Sequence, residues 1–135
     1  MPKPSARFVI ALAALLGAIA VALGAMGGHA MQRVLNVDQL GTWETATRYL
    51  AWHVLAALAI GLSGRRTFLV PALVLLLGGV LFAGSLYLWL LTAVRPLVFV
   101  TPLGGGVMIL GWLWLFAKAA FFAEADPKTA ASEAP

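Results

Sequence analysis

Between Arg66 and Arg95 the chain reads TFLVPALVLLLGGVLFAGSLYLWLLTAV, residues 67–94, which is 28 residues without a charge. A bilayer hydrocarbon core about 30 Å thick is crossed by about 20 helical residues, each rising about 1.5 Å. This stretch is therefore long enough to span a membrane with residues to spare. Its neighbours repeat the pattern. Phe8–Gly28 contains 21 uncharged residues, and 22 more lie between Arg95 and Lys118. The remaining candidate is weaker, because Tyr49–Leu62 supplies only 14 uncharged residues. It reaches membrane length if the helix begins near Thr42, with Gly41 ending the preceding segment and Thr42 capping the new helix. Glu44 and Arg48 then fall in its first two turns as an i,i+4 pair in the favourable order.

Composition points the same way. The 135 residues are 62% hydrophobic and 10% charged, with a mean hydropathy of +0.97. Soluble domains average about 45–50% apolar and about 25% charged residues. A chain this small has too little interior to hide the excess, so a soluble globular enzyme and a disordered chain are both excluded. With no cysteine, disulfides, thiolate metal sites and thiol chemistry are excluded as well. The net charge of +4 comes from scattered Lys and Arg with no basic stripe, so nucleic acid is not an expected partner. Basic loops beside apolar spans read instead as orientation signals and contacts with anionic lipid.

The expected fold is all-α: one integral membrane bundle over residues 1–122, with spans at about 8–29, 42–62, 67–92 and 98–118. Residues 123–135 are expected to form a disordered polar cytoplasmic tail. Lys3, Arg7 and the Ala20-Val21-Ala22 triplet resemble a cleavable signal, but the apolar stretch outruns the usual 7–15 residues, which favours an uncleaved helix. Four spans place Lys3, Arg7, Arg65, Arg66, Lys118 and Lys128 on one side and Arg33, Arg48 and Arg95 on the other. That bias predicts both termini in the cytoplasm. Met31–Leu40 then reads as an outer loop.

Membrane helices associate through close packing of small residues and through interhelical hydrogen bonds. Gly24 and Gly28 form a GxxxG in the first span, and Gly79 and Ala83 repeat the spacing in the third; all four are expected packing positions. In the second span Thr45, Tyr49, Trp52, His53, Ala56, Ala59 and Ser63 form a polar or small stripe. Val54, Leu55, Leu58 and Leu62 are expected to face lipid. Trp43 and Trp89 fall near the outer edge, where aromatic belts form.

Polar groups inside a bilayer are costly, so each is a candidate site. His29 ends the first span, and His53 lies near mid-depth in the second. Ser85 and Tyr87 occupy the outer half of the third. Thr101, Pro102, Gly104 and Gly105 are expected to open the fourth, where a free helix N-terminus would attract an anionic group. These residues converge on one half of the bundle. Ser85 and Tyr87, however, are about 200° apart on an ideal helix. Either the third helix is central, or Tyr87 belongs to the aromatic belt.

The same positions carry a family resemblance. GAMGGHA at 24–30, Tyr49-x-x-x-His53, FAGSLYL at 82–88, TPLGG at 101–105 and Gly111-Trp112 resemble the domain of unknown function 423 family of small bacterial membrane proteins. It is also similar to the eukaryotic transmembrane protein 256. The likeness runs from about residue 8 to 115, departing at Met26-Gly27-Gly28 and in a loop near Arg95 that lacks a glycine. It implies a four-helix membrane protein in the bacterial plasma membrane, and no established activity.

Three functional readings follow. In the first, the polar groups are structural, and the chain is a scaffold or accessory subunit, as a homo-oligomer or within a larger membrane complex. In the second, His53 serves ligand binding or proton-coupled transport in an outer-half cavity, with Tyr49 one turn away. The third pairs His29 with His53 on haem, but their depths differ by several turns, so no cofactor is expected. No metal-site, nucleophile-elbow or P-loop motif is present, and no enzyme activity is expected.

Overall fold

The computed structural model describes residues 4–121. The tail at 123–135, Lys3 and Lys128 lie outside the described residues. Four helices follow one another: α1 (Pro4–Gly28), α2 (Val37–Ser63), α3 (Leu69–Thr92) and α4 (Leu97–Phe121). Short 3-10 turns at Met31–Arg33 and Arg66–Phe68 join the first three. Three segments are long and apolar enough to cross a membrane: Ser5–Arg33, Arg66–Thr92 and Leu97–Phe121. α2 is as long as the others but carries Asp38, Glu44 and Arg48 in its first half.

The start of α2 departs from the expectation. Asn36, not Thr42, is the cap: its side chain accepts from the Gln39 backbone N–H at 2.9 Å, and Gln39 Oε1 accepts from the Asn36 N–H at 3.0 Å. This reciprocal pair satisfies two free donors at the helix start. Gly41 and Thr42 therefore lie inside the helix, with the Thr42 hydroxyl donating to the Asp38 carbonyl. Gly64, at φ +68°, ends α2 in the left-handed conformation that glycine adopts without a steric penalty. α3 ends in the same way, but with Ala93 at φ +55°.

The helices pack as a folded ribbon, each antiparallel to the one before. α1 meets α2 in a seven-residue register, with Ile10 against Gly61, Gly17 against Val54 and Gly24 against Thr47. A repeat of that period keeps two helices in contact along a shallow left-handed wrap. α3 carries two seams. Leu69, Ala72, Leu76, Ala83, Tyr87 and Leu90 join one buried cluster with residues of α1 and α2. The second seam faces α4: Leu75 lies against Gly111, Gly78 against Met108, Phe82 against Gly104, and Ser85 against Thr101. The spacing is three, four and three residues on both helices. α3 is thus the central helix, and α4 is held mainly by it.

Glycine decides how close α4 can come. A methyl group on Gly104 would strike the backbone of Phe82, 2.8 Å from its Cα and closer still to its nitrogen. One on Gly78 would lie 2.7 Å from the backbone nitrogen of Met108. Neither backbone can move aside independently of its helix. The α3–α4 contact is therefore a backbone-to-backbone fit of the small-residue kind that lipid-embedded helices use.

Candidate functional site

Among the described residues, three hydrogen bonds join a side chain of one helix to a side chain of another. Between α2 and α3, the Thr47 and Tyr87 hydroxyls are 2.7 Å apart, and Thr47 also donates to the Trp43 carbonyl. Between α3 and α4, Ser85 Oγ and Thr101 Oγ1 are 2.8 Å apart, and Ser85 donates to the Phe82 carbonyl at 2.9 Å. Between α2 and α4, Trp112 Nε1 donates to His53 Nε2 at 3.1 Å. His53 Nδ1 lies 2.6 Å from the Tyr49 carbonyl oxygen. Because Nε2 accepts from the indole, the ring proton belongs on Nδ1, where it serves the Tyr49 carbonyl. Both nitrogens of this buried, neutral imidazole are then satisfied.

The alternative left open for Ser85 and Tyr87 is resolved by α3's central place. Ser85 faces α4, while Tyr87 is buried on the opposite side against Trp43, with ring centroids 4.5 Å apart. Tyr87 is therefore not a belt residue, and neither is Trp43. Trp43 is fully buried, and its indole donates to the Leu23 carbonyl at 2.8 Å across the α1–α2 contact. That anchor explains the glycines that end α1. A methyl group on Gly27 would lie 2.7 Å from Trp43 Cδ1, whereas one on Gly28 would meet nothing within 4 Å. Among the glycines of α1 the tight position is Gly27. Gly24 makes only ordinary contact with Thr47, and Gly28 makes none.

In α3, Gly79 lies against His53, with 3.4 Å available for a methyl group, and Ala83 is buried on the same seam. Val54 is buried against Gly17 rather than facing lipid, whereas Leu55 and Leu62 are exposed. His29 does not join His53. It is exposed beyond the end of α1, beside Ala30, Gln32 and Arg33. Nor do Thr101–Gly105 form an open helix end. α4 begins at Leu97 and runs through Pro102, and its first N–H groups, on Leu97, Val98 and Phe99, donate to the carbonyls of Val94, Arg95 and Pro96.

A cleft lies beside the His53–Trp112 link. About 540 Å³ of space lies between α2 and α4, lined from α2 by Thr45, Tyr49, Trp52 and His53, from α3 by Phe82, and from α4 by Gly105, Met108, Ile109 and Trp112. Tyr49 packs against Trp52 and Phe82, with centroids at 5.3 Å and 5.1 Å. Sequence reasoning found Tyr49 and His53 but gave no role to Thr47 or Trp112. Trp112 carried one usable signal, shared with Trp114 two residues on: an indole donor within an apolar span needs a partner there.

A family profile described as "Protein of unknown function (DUF423)" matches residues 23–105. The chain is 37% identical to the UPF0382 inner membrane protein YgdD of Escherichia coli K12 over 119 residues, 85% of this chain and 91% of the relative. It is 42% identical to the UPF0382 membrane protein SSP2132 of Staphylococcus saprophyticus over 112 residues, 81% of this chain and 93% of the relative. With the UPF0382 membrane protein SAB0533 of Staphylococcus aureus it shares 38% identity over 120 residues, 87% and 98% of the two chains. No solved structure matches. The profile spans most of the chain and the relatives nearly all of its helical part, so this all-helical membrane protein belongs to the DUF423 family, whose molecular function is unknown.

Proposed function

We propose that the chain crosses the bacterial plasma membrane four times, with both termini in the cytoplasm, and serves there as a structural or accessory subunit. Two features support α2 as the fourth span. Its 27 residues reach about 40 Å as a helix, and it lies between α1 and α3, which have the length and hydropathy of spans. Asp38 and Glu44 then sit in its outer turns, at the head-group level, and Arg48 lies deeper, about 16 Å from the helix start. The antiparallel order brings Arg7, Arg65, Arg66 and Lys118 to one end of the bundle and Arg33, Arg48 and Arg95 to the other. The richer end is assigned to the cytoplasm.

The observation that carries the subunit reading is how the polar interior is used. Thr47, Tyr87, Ser85, Thr101, His53 and Trp112 bond to one another or to backbone carbonyls, and no buried side-chain nitrogen or oxygen among the described residues lacks a partner. Groups committed in this way hold helices together. The partner would be a second copy of the chain or another membrane protein, with lipid around the rest. Purification of the tagged full chain in mild detergent is expected to retain a partner at fixed stoichiometry. Isolation as a lone monomer in detergent and in native lipid discs overturns the reading.

A second reading, ligand binding in the outer half, is favoured by the cleft over Tyr49 and His53. Proton coupling through His53 would require breaking the Trp112 bond, because the lone pair that would take the proton is already engaged.

A further inference from the structure

We infer that the cleft between α2 and α4 takes up from the membrane a neutral, flat, lipophilic ring bearing carbonyl oxygens, the chemistry of a quinone head group. The inference rests on the ligand-binding reading above and names the ligand class. At about 540 Å³ the cleft has the size of a small-molecule site, within the usual range of about 300–1,000 Å³. α4 packs on α3 rather than on α2, so the space between α2 and α4 opens sideways, toward lipid. An open lateral groove in a membrane is filled by something lipophilic, and the lining decides what.

Four of the lining side chains are Tyr49, Trp52, Phe82 and Trp112, and His53 adds a fifth ring. Tyr49 is in contact with both Trp52 and Phe82, and His53 stands edge-on to Trp112 at 6.1 Å. Aromatic walls favour a planar ligand through offset stacking, which an acyl chain does not exploit. Among the described residues no Asp, Glu, Lys or Arg lines the cleft, and both ring nitrogens of His53 are already taken by hydrogen bonds. A charged ligand would find no counter-ion there. Two polar tips remain: the Tyr49 hydroxyl and the Trp52 indole N–H have no hydrogen-bond partner among the described residues. An indole can only donate, and a phenol readily does so. In a medium without water, free donors are matched by a ligand with acceptor oxygens. Gly105 leaves the α4 wall open, since a methyl group there would meet only Phe82 Cδ2, at 4.0 Å.

The test is photolabelling of the full chain in phosphatidylethanolamine–phosphatidylglycerol vesicles with an azido derivative of a short-chain benzoquinone. Label is expected on residues 45–53 and 105–112, reduced at least tenfold by excess unlabelled benzoquinone. Gly105→Leu, which fills the cleft without touching the α3 backbone, is expected to abolish it. Its near-ultraviolet circular dichroism should match the wild type and its melting temperature should not fall, which separates lost binding from lost fold. Tyr49→Phe should weaken binding about threefold to tenfold, the loss of one hydrogen bond. Label spread evenly over lipid-facing residues, or left unchanged by Gly105→Leu, overturns this proposal and the ligand-binding reading together. Cleft label displaced by a saturated phospholipid and not by benzoquinone overturns the quinone assignment and leaves an acyl-chain site. Neither result bears on the subunit reading, which stands or falls on stoichiometry.

Discussion

Trp112 on α4 donates its indole N–H to Nε2 of His53 on α2, 3.1 Å away and 59 residues apart in the chain, and so makes the histidine a connector between the two helices. The bond reaches across the cleft, while the other ring nitrogen is taken by the carbonyl of Tyr49 one turn earlier. Hydrogen bonds between membrane helices average about 0.6 kcal/mol and reach about 1.7 kcal/mol. A double-mutant cycle of Trp112→Phe with His53→Leu is expected to give a coupling energy in that range, read from unfolding in mixed micelles. A coupling indistinguishable from zero would refute the link. Nitrogen-15 spectra of the imidazole should show the proton on Nδ1, and Trp112→Phe should disturb that preference.

Adjacent glycines on α4 should behave oppositely. Gly104→Ala drives a methyl group into the Phe82 backbone, an overpacking cost of about 1–3 kcal/mol or more. Gly105→Ala meets nothing closer than 4.0 Å and gains helix propensity of up to about 1 kcal/mol. Melting temperatures of the two variants check this, with a clear loss expected for the first and none for the second.

The end of α1 gives a similar contrast. Gly27→Ala pushes the Trp43 indole away and strains its bond to the Leu23 carbonyl, whereas Gly28→Ala enters open space. A loss of about 1–3 kcal/mol is expected for the first and a change within about 0.5 kcal/mol for the second. Trp43 fluorescence should shift to the red in Gly27→Ala only.

Ala93 holds φ at +55° where glycine would be unstrained. The left-handed conformation costs an L-residue about 1–2 kcal/mol. Ala93→Gly is therefore expected to stabilise the α3–α4 hairpin by about 0.5–1 kcal/mol once the greater chain entropy of glycine is allowed for. A fall in melting temperature would count against it.

The topology is open to a direct check. Reporters fused after residue 135 and before residue 4 should both be active only as cytoplasmic reporters, and a cysteine placed at Arg95 should be labelled from outside intact cells. Activity of the C-terminal reporter outside the cytoplasm, with the N-terminal one inside, would mean that α2 does not cross; both outside would invert the orientation.

Much of the frame was legible in the residues. Runs of uncharged sequence mark α1, α3 and α4, because a bilayer admits few charges and a helix needs a fixed length to cross it. The start of α2 is marked by Asn36-x-x-Gln39, a capping-box spacing that lies outside the apolar run, whereas Thr42, the expected cap, stands next to that run. His53, Tyr49, Ser85 and Thr101 were found as polar side chains in an apolar setting. The structure gives three of them interhelical partners: Trp112 for His53, and Ser85 and Thr101 for each other.

Which way each helix faces was not legible. In water an apolar face must turn inward, so periodicity reveals it. In lipid both faces are apolar, and a Val54 buried against Gly17 looks no different in sequence from an exposed Leu55. Facing is then decided by fit: Gly27 under the Trp43 indole, Gly104 on the Phe82 backbone, and Ser85 and Tyr87 turned to opposite neighbours. The sequence alone determined that this is a chain of membrane helices with a few polar residues set among apolar ones. Only the tertiary structure decided that those residues tie one helix to the next, because sub-ångström complementarity between backbones depends on how the helices dock and leaves no mark in composition.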